Sequence, residues 1–288
     1  LMKIKEQKIR LSREKVIQQA IPLSLTFIVC FVMILLLWLE VLALNKFISE
    51  PISTKIRFSD ILVGLTVYLK TSIDFAIYIG RMMAKNKGMK GRIGIEIGTA
   101  MGNALGTMLI LLIWAFFKEV DWLLGIMVLL AGLVLMRLAQ DGVSFIDTKN
   151  SAYPNWFSFV VEKLKWILGL WNKLVEPFLS KIVPSHSLKA VTKNTLLGLL
   201  AISFTVPFIL GLDDFAGYVP LFNIVNVFGF GIGVMLGHMI LNIFLYISPK
   251  RTIAAVKNPV VSFAGSIAFI FLAIWGFIEA YKLLFLHG

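Results

Sequence analysis

Charged residues are scarce in this chain. They make up 15% of its 288 residues, whereas a soluble domain carries about 25%. Hydrophobic residues make up 58% of the chain, and its mean hydropathy is +0.87. The apolar residues fall in long runs separated by short basic or polar stretches, a pattern typical of polytopic membrane proteins. The composition therefore predicts an all-α membrane protein.

Cysteine is nearly absent, because Cys30 is the only one in the chain. One thiol cannot form an internal disulfide framework or a thiolate metal cluster. The sequence also lacks an HExxH motif, a phosphate-binding loop and a Ser/His dyad, so we expect neither an enzyme nor a bound cofactor.

Seven apolar runs are long enough to cross a membrane. The first is predicted to be an anchor over 21–46, begun by Pro22 and preceded by a separate basic cytosolic segment over 1–20. Six further spans are predicted at 60–83, 93–117, 122–140, 196–222, 227–247 and 259–281. They group as a first repeat over 58–140 and a second over 194–288.

The basic residues predict the orientation of these spans. With the N-terminus inside, 21 of the 28 lysines and arginines fall in cytosolic segments and 5 in outer ones. This bias places the N-terminus in the cytosol and the C-terminus outside, in the plasma membrane. The net charge of +12 is thus a topology signal, and no nucleic-acid partner is expected. In the loop over 141–193, tryptophans alternate with lysines, which predicts a linker containing an amphipathic helix on the inner leaflet.

A repeated phrase indicates internal duplication. Ser72-Ile73-Asp74-Phe75-Ala76 matches Asp213-Asp214-Phe215-Ala216 when Asp74 is laid on Asp214. The next span of each half carries a glycine stripe with a period of four, and the two stripes align. They comprise Gly94, Gly98, Gly102 and Gly106 in one half and Gly229, Gly233 and Gly237 in the other. Such stripes let helices approach closely in lipid. Each unit has three spans, so the two copies must be inverted, and Asp74 and Asp214 are expected to meet near the midplane.

Other polar residues near these aspartates are candidate ligands. Asn103 and His238 each follow a stripe glycine at equivalent positions, and Asn242 lies one turn beyond His238. Oxygen and imidazole donors of this kind suit a divalent cation. Asp213 could be a ligand, a group behind the ligands or a charge at the pore mouth.

Two charged residues have alternative interpretations. Lys70 precedes Asp74 by one turn, so it is either part of a plain salt bridge or a counter-charge that an arriving cation displaces. Glu96 is expected to reach the inner interface by extending its side chain.

The phrase Asp213-Asp214-Phe215-Ala216-Gly217-Tyr218-Val219-Pro220, with Thr71-Ser72-Ile73-Asp74 and Ile95-Glu96-Ile97-Gly98, resembles the cadmium-resistance (CadD-type) transporters of the LysE superfamily. The resemblance covers about 60–140 and 195–282. It implies six core spans in two inverted halves and efflux of a divalent cation, with Asp74 and Asp214 as ligands. The family's Asp-Asn pair is replaced here by Asp214-Phe215, which leaves the ion's identity open.

Together these features predict a secondary transporter that exports a divalent cation of the Mn, Cd, Zn or Ca class by alternating access. Proton exchange is a further option, because carboxylates can trade a metal for protons. The alternatives are an amino-acid or organic-cation exporter of the same superfamily and a non-transporting assembly factor or sensor. The expected partners are the metal ion, protons, the lipid bilayer and a second copy of the chain.

Overall fold

The computed structural model describes residues 2–86, 88–144, 146–148, 153–182, 195–222 and 225–286; within these ranges, the side chains of 2–19, 74, 178–182, 209–217 and 220 are not described. Most of the described residues are helical, and none of them forms a strand. They form α1 (Met2–Leu44), α2 (Phe58–Thr71), α3 (Ile73–Lys85), α4 (Met89–Phe117), α5 (Asp121–Ser144), α6 (Asn155–Ile182), α7 (Leu196–Phe222), α8 (Val227–Ile247), α9 (Pro249–Val256) and α10 (Pro259–Phe285).

Five of these helices are long and apolar enough to cross a membrane: Ala20–Leu44 within α1, and α4, α5, α8 and α10. The chain is therefore a membrane-embedded helical protein, as the composition predicted. Within the described residues, α2 and α3 together form a sixth candidate, either a broken span or a re-entrant loop. The helix bounds of α7 and α8 coincide with the predicted segments 196–222 and 227–247. Of α7, however, only Leu196–Phe208 is found as an apolar helix among the described residues, and it is shorter than a membrane span.

The predicted boundary between the N-terminal segment and the first span lies inside one helix, and the apolar part of that helix begins at Ala20. Residues Met2–Leu44 form one continuous helix, and Pro22 lies inside it rather than at its start. From Thr26 onward, buried residues recur every three or four positions, as in Cys30, Met33 and Leu37. This spacing puts them on one face of the helix, which packs against α4 and α8. The first span is therefore part of the helical bundle.

The predicted span over 60–83 is bent, so it is either a broken span or a re-entrant loop. Helices α2 and α3 meet at an angle of 68°, and Ser72 lies between them. The Thr71 hydroxyl donates to the Tyr68 carbonyl oxygen at 3.2 Å, and the Ser72 amide donates to the same oxygen at 2.9 Å. The Ser72 bond is the ordinary helical one, and the Thr71 hydroxyl adds a second donor to the same carbonyl oxygen. Hydroxyl side chains compete in this way with regular helical hydrogen bonding, so the Thr71 contact favours a break at this step.

The glycine stripes mark the closest helix contacts. A Cβ on Gly98 of α4 would collide with backbone atoms of Leu200 in α7, and one on Gly233 of α8 would collide with the Ile61 carbonyl oxygen in α2. Only glycine permits these backbones to come so close. Residue numbers rise together along both contacts, so α4 is parallel to α7 and α2 is parallel to α8.

Helix α5 instead packs antiparallel along α10. A Cβ on Gly125 would meet Leu284, whereas one on Gly142 would meet Ser266. Between α5 and α7, the predicted amphipathic segment forms helix α6, which contains Pro177. It buries Phe157 and Val161 and exposes Trp156 and Trp166, so one face of α6 packs on the bundle and the other is exposed.

Candidate functional site

A buried polar cluster lies where α4 crosses α8, and we call it the polar centre. It comprises Glu96 and Thr99 from α4, His238 and Asn242 from α8, and Tyr68 from α2. None of these side chains is more than 4% exposed. Buried polar groups inside a membrane protein are costly unless they are hydrogen-bonded, and they commonly mark functional sites.

His238 occupies the middle of the polar centre. Its Nδ1 atom lies 2.8 Å from the Tyr68 hydroxyl oxygen, and its Nε2 atom lies 2.9 Å from Asn242 Nδ2. Because the amide nitrogen can only donate, Nε2 accepts and the ring proton of the neutral imidazole resides on Nδ1. The ring is thus held at both nitrogens, and a cation that binds it must displace one of these two partners.

Asn242 links His238 to α4. Its Nδ2 atom also donates to Thr99 Oγ1 at 3.3 Å, and its side chain is within hydrogen-bonding reach of the Glu96 carboxyl group. Its Oδ1 atom is buried without a hydrogen-bond partner. An amide oxygen in this state is available as a ligand for a cation that enters the polar centre.

Glu96 is the acidic member of the polar centre. It is 4% exposed, so the expectation that its side chain reaches the interface is wrong. The Thr26 hydroxyl of α1, which donates to the Pro22 carbonyl oxygen at 3.0 Å, lies close to its carboxyl group, as does Asn242. Helix α1 covers this part of α4, which is why the carboxyl group cannot extend to the membrane surface. Since Glu96, Thr99 and Asn103 recur at helical spacing, a common face could have been recognised in the sequence.

Asn103 lies beside the polar centre, next to a sulfur-containing cluster. Its Nδ2 atom contacts Met235 Sδ at 3.9 Å, and the Cys30 thiol points to the Met235 carbonyl oxygen at 3.8 Å. Asn103 on α4 thus faces Met235 on α8, one helical turn before His238. The structure gives Asn103 no hydrogen bond to the imidazole.

The predicted acidic ligands are placed only through their backbones. Asp74 lies in the first turn of α3, and Asp213 and Asp214 lie within α7, but their side chains lie outside those that the structure describes. Phe75, the neighbour of Asp74, has its ring centroid 5.5 Å from that of His238. The start of α3 therefore adjoins the polar centre. The expected meeting of Asp74 and Asp214 near the midplane therefore stays a prediction.

Lys70 forms hydrogen bonds to helix α10, a contact that the sequence did not predict. Its Nζ atom donates to the carbonyl oxygens of Val261 at 3.0 Å and Ser262 at 3.2 Å. A Cβ on Gly265 would collide with the lysine side chain, so this glycine makes room for it on α10. The predicted pair with Asp74 involves a carboxyl group outside the described side chains.

Comparisons with known proteins add no family to this description. The chain matches no family model, no curated protein and no solved structure. The resemblance to CadD-type transporters is neither supported nor contradicted. Among the side chains that the structure describes, no three histidine, cysteine, aspartate or glutamate residues are close enough to hold a metal ion.

Proposed function

We propose that this chain is a secondary transporter that exports a divalent cation across the plasma membrane by alternating access. The observation that carries the proposal is the polar centre, in which a carboxyl group and an imidazole are buried between α4 and α8. No lysine or arginine among the described residues forms an ion pair with Glu96. A buried carboxyl group without a cation is stable only in its neutral form, so a passing cation can replace its proton.

The helix contacts support seven spans in two inverted repeats of three helices. When the two halves are aligned so that Asp74 matches Asp214, α2 and α3 together correspond to α7. The aligned glycine stripes make α4 correspond to α8. A two-fold axis in the membrane plane then turns the parallel contact of α2 with α8 into the parallel contact of α7 with α4. It also exchanges α5 with α10, which must run antiparallel, as they do. Inverted repeats of this kind are common in secondary transporters.

The donors favour a cation of intermediate hardness. Glu96, the Asn242 amide oxygen and the His238 imidazole combine oxygen and nitrogen donors, which suit Mn²⁺, Zn²⁺ or Cd²⁺. In the proposed site, Asp74 and Asp214 supply the remaining carboxylates from α3 and α7. The proposed orientation, with the N-terminus in the cytosol, rests on the excess of basic residues in the segments that would then face the cytosol. Proton antiport would supply the driving force for export.

One observation favours a second candidate, the export of an amino acid or another organic cation. Within the described side chains, a cluster of three strong metal ligands is lacking. An ammonium group needs one carboxylate and a few hydrogen-bond acceptors, which Glu96, Thr99 and Asn242 offer.

Flux measurements on the purified chain in sealed liposomes separate these candidates. The panel contains Mn²⁺, Zn²⁺, Cd²⁺ and Ca²⁺, together with lysine and arginine, and protein-free liposomes are the control. Divalent flux that depends on the protein supports the proposal. Flux of the amino acids alone supports the second candidate. Flux of neither class would contradict both and would favour a non-transporting membrane protein.

A further inference from the structure

A groove with a volume of about 510 Å³ lies between α2 and α10, away from the polar centre. This volume lies within the range of small-molecule pockets, about 300–1,000 Å³. Its walls are apolar apart from Lys70 and Thr66, and they include Val67, Leu69, Ile73, Val260, Ala264 and Phe269. Val260 and Val261 are exposed, so in a bilayer the groove opens towards lipid.

Lys70 places a positive charge in this apolar groove. Its ammonium group donates to two carbonyl oxygens in the first turn of α10, and it has three protons to donate. Among the described acidic side chains, none forms an ion pair with it. Carbonyl oxygens do not neutralise the charge, so an anionic group at this position would be stabilised.

More positive charge follows from helix α9. It ends at Val256, which lines the groove, and its first turn carries Lys250 and Arg251, which are exposed and lie about 8 Å along the helix from Val256. Lys257 follows α9 directly and is also exposed. Clusters of basic side chains at the end of an apolar cleft between membrane helices attract the headgroups of anionic lipids.

We propose that the groove between α2 and α10 binds one acidic phospholipid from the leaflet that adjoins α9, with an acyl chain along the groove and the headgroup phosphate at Lys70. The charge on Lys70 and the basic residues around α9 select an anionic headgroup. The apolar walls select a hydrocarbon chain. The inference does not depend on the proposed transport activity, because it rests on contacts of α2, α9 and α10 alone.

Native mass spectrometry of the full chain, released from detergent micelles, measures this binding. The probes are phosphatidylglycerol, phosphatidylcholine with the same acyl chains, and palmitate. We expect the wild type to retain phosphatidylglycerol about tenfold better than either other probe, because a charge-assisted hydrogen bond changes affinity by roughly this factor. Equal retention of phosphatidylcholine would overturn the role of charge, and equal retention of palmitate would overturn the assignment to a phospholipid.

Three variants test the position of the lipid. Lys70→Gln should lose the tenfold preference, and Lys70→Arg should keep it. Lys282→Gln is the matched control at the other end of α10 and should also keep it. Ala268→Trp, which fills the groove and leaves Lys70 in place, should lower phosphatidylglycerol retention even if Lys70→Gln fails to fold. Full retention by Ala268→Trp, or by a folded Lys70→Gln, would overturn the proposal.

Discussion

Asn242 is the residue whose loss should damage the polar centre most. Its Nδ2 atom donates to His238 Nε2 at 2.9 Å and to Thr99 Oγ1 at 3.3 Å, and its side chain reaches Glu96. Asn242→Leu keeps the approximate side-chain volume but removes these donors. The His238 nitrogen and the Glu96 carboxyl group each lose a partner while they stay buried.

The expected cost follows from the number of groups left without partners. A buried polar group that loses its partner costs about 1–3 kcal/mol. Thr99 keeps its hydrogen bond to the Glu96 carbonyl oxygen at 3.0 Å and adds little. The two remaining losses together predict that Asn242→Leu lowers the free energy of unfolding by about 2–6 kcal/mol. Reversible unfolding in mixed micelles, followed by circular dichroism, measures this quantity.

Asn103→Leu provides the matched control. Asn103 is buried like Asn242, at 3% exposure, but its amide makes only a weak contact to Met235 Sδ at 3.9 Å. We expect this variant to cost less than about 1 kcal/mol. If the two variants lost equal stability, the hydrogen bonds of the polar centre would not contribute as the structure indicates.

Three further predictions concern other parts of the fold. Gly233→Ala, whose Cβ would collide with backbone of α2, should lower the free energy of unfolding by about 1–3 kcal/mol. Gly88→Ala, with open space around it, should be nearly neutral in the same unfolding assay. Thr26→Val should lower the free energy of unfolding by about 1–2 kcal/mol, because it removes a buried hydroxyl group that donates to the Pro22 carbonyl oxygen at 3.0 Å. Thr26→Ser should restore the stability, and a neutral Thr26→Val would contradict a stabilising role for this hydroxyl group. The Ser49 side chain, helped by the Ser49 backbone amide that donates to Glu119 Oε1 at 3.2 Å, holds the pKa of that exposed carboxyl group below its ordinary value. Its stabilising effect is therefore present above the ordinary glutamate pKa and is lost as the pH falls through the lowered one, and NMR titration should show a midpoint that Ser49→Ala raises.

Helix boundaries could be predicted where they depend on local sequence. The start of α8 follows Asn226, whose side chain accepts from the Gly229 amide at 2.9 Å, and α10 begins with Pro259 after the cap Asn258. Both are ordinary helix-start signals. His238 and Asn242 could be recognised as partners because they are one helical turn apart on the glycine-rich helix.

The features that were missed depend on tertiary contacts. Glu96 is near the start of its helix, so the sequence indicated an interfacial position. Its burial results from α1, whose packing on α4 cannot be read from hydropathy. In the sequence, Tyr68 is one of many apolar or aromatic residues within a span, so nothing singles it out. Only the close contact of α2 with α8 brings its hydroxyl group to His238. The break at Ser72 was masked by the apolar residues around it.

The central claim is that the chain moves a divalent cation through a site that includes acids from both halves. The most direct test is Mn²⁺ and Cd²⁺ flux into sealed liposomes containing the wild type, Asp74→Asn or Asp214→Asn at equal protein content. The account predicts flux with the wild type and its loss in both variants, because each removes a carboxylate from the proposed site. Undiminished divalent flux in both variants would contradict it.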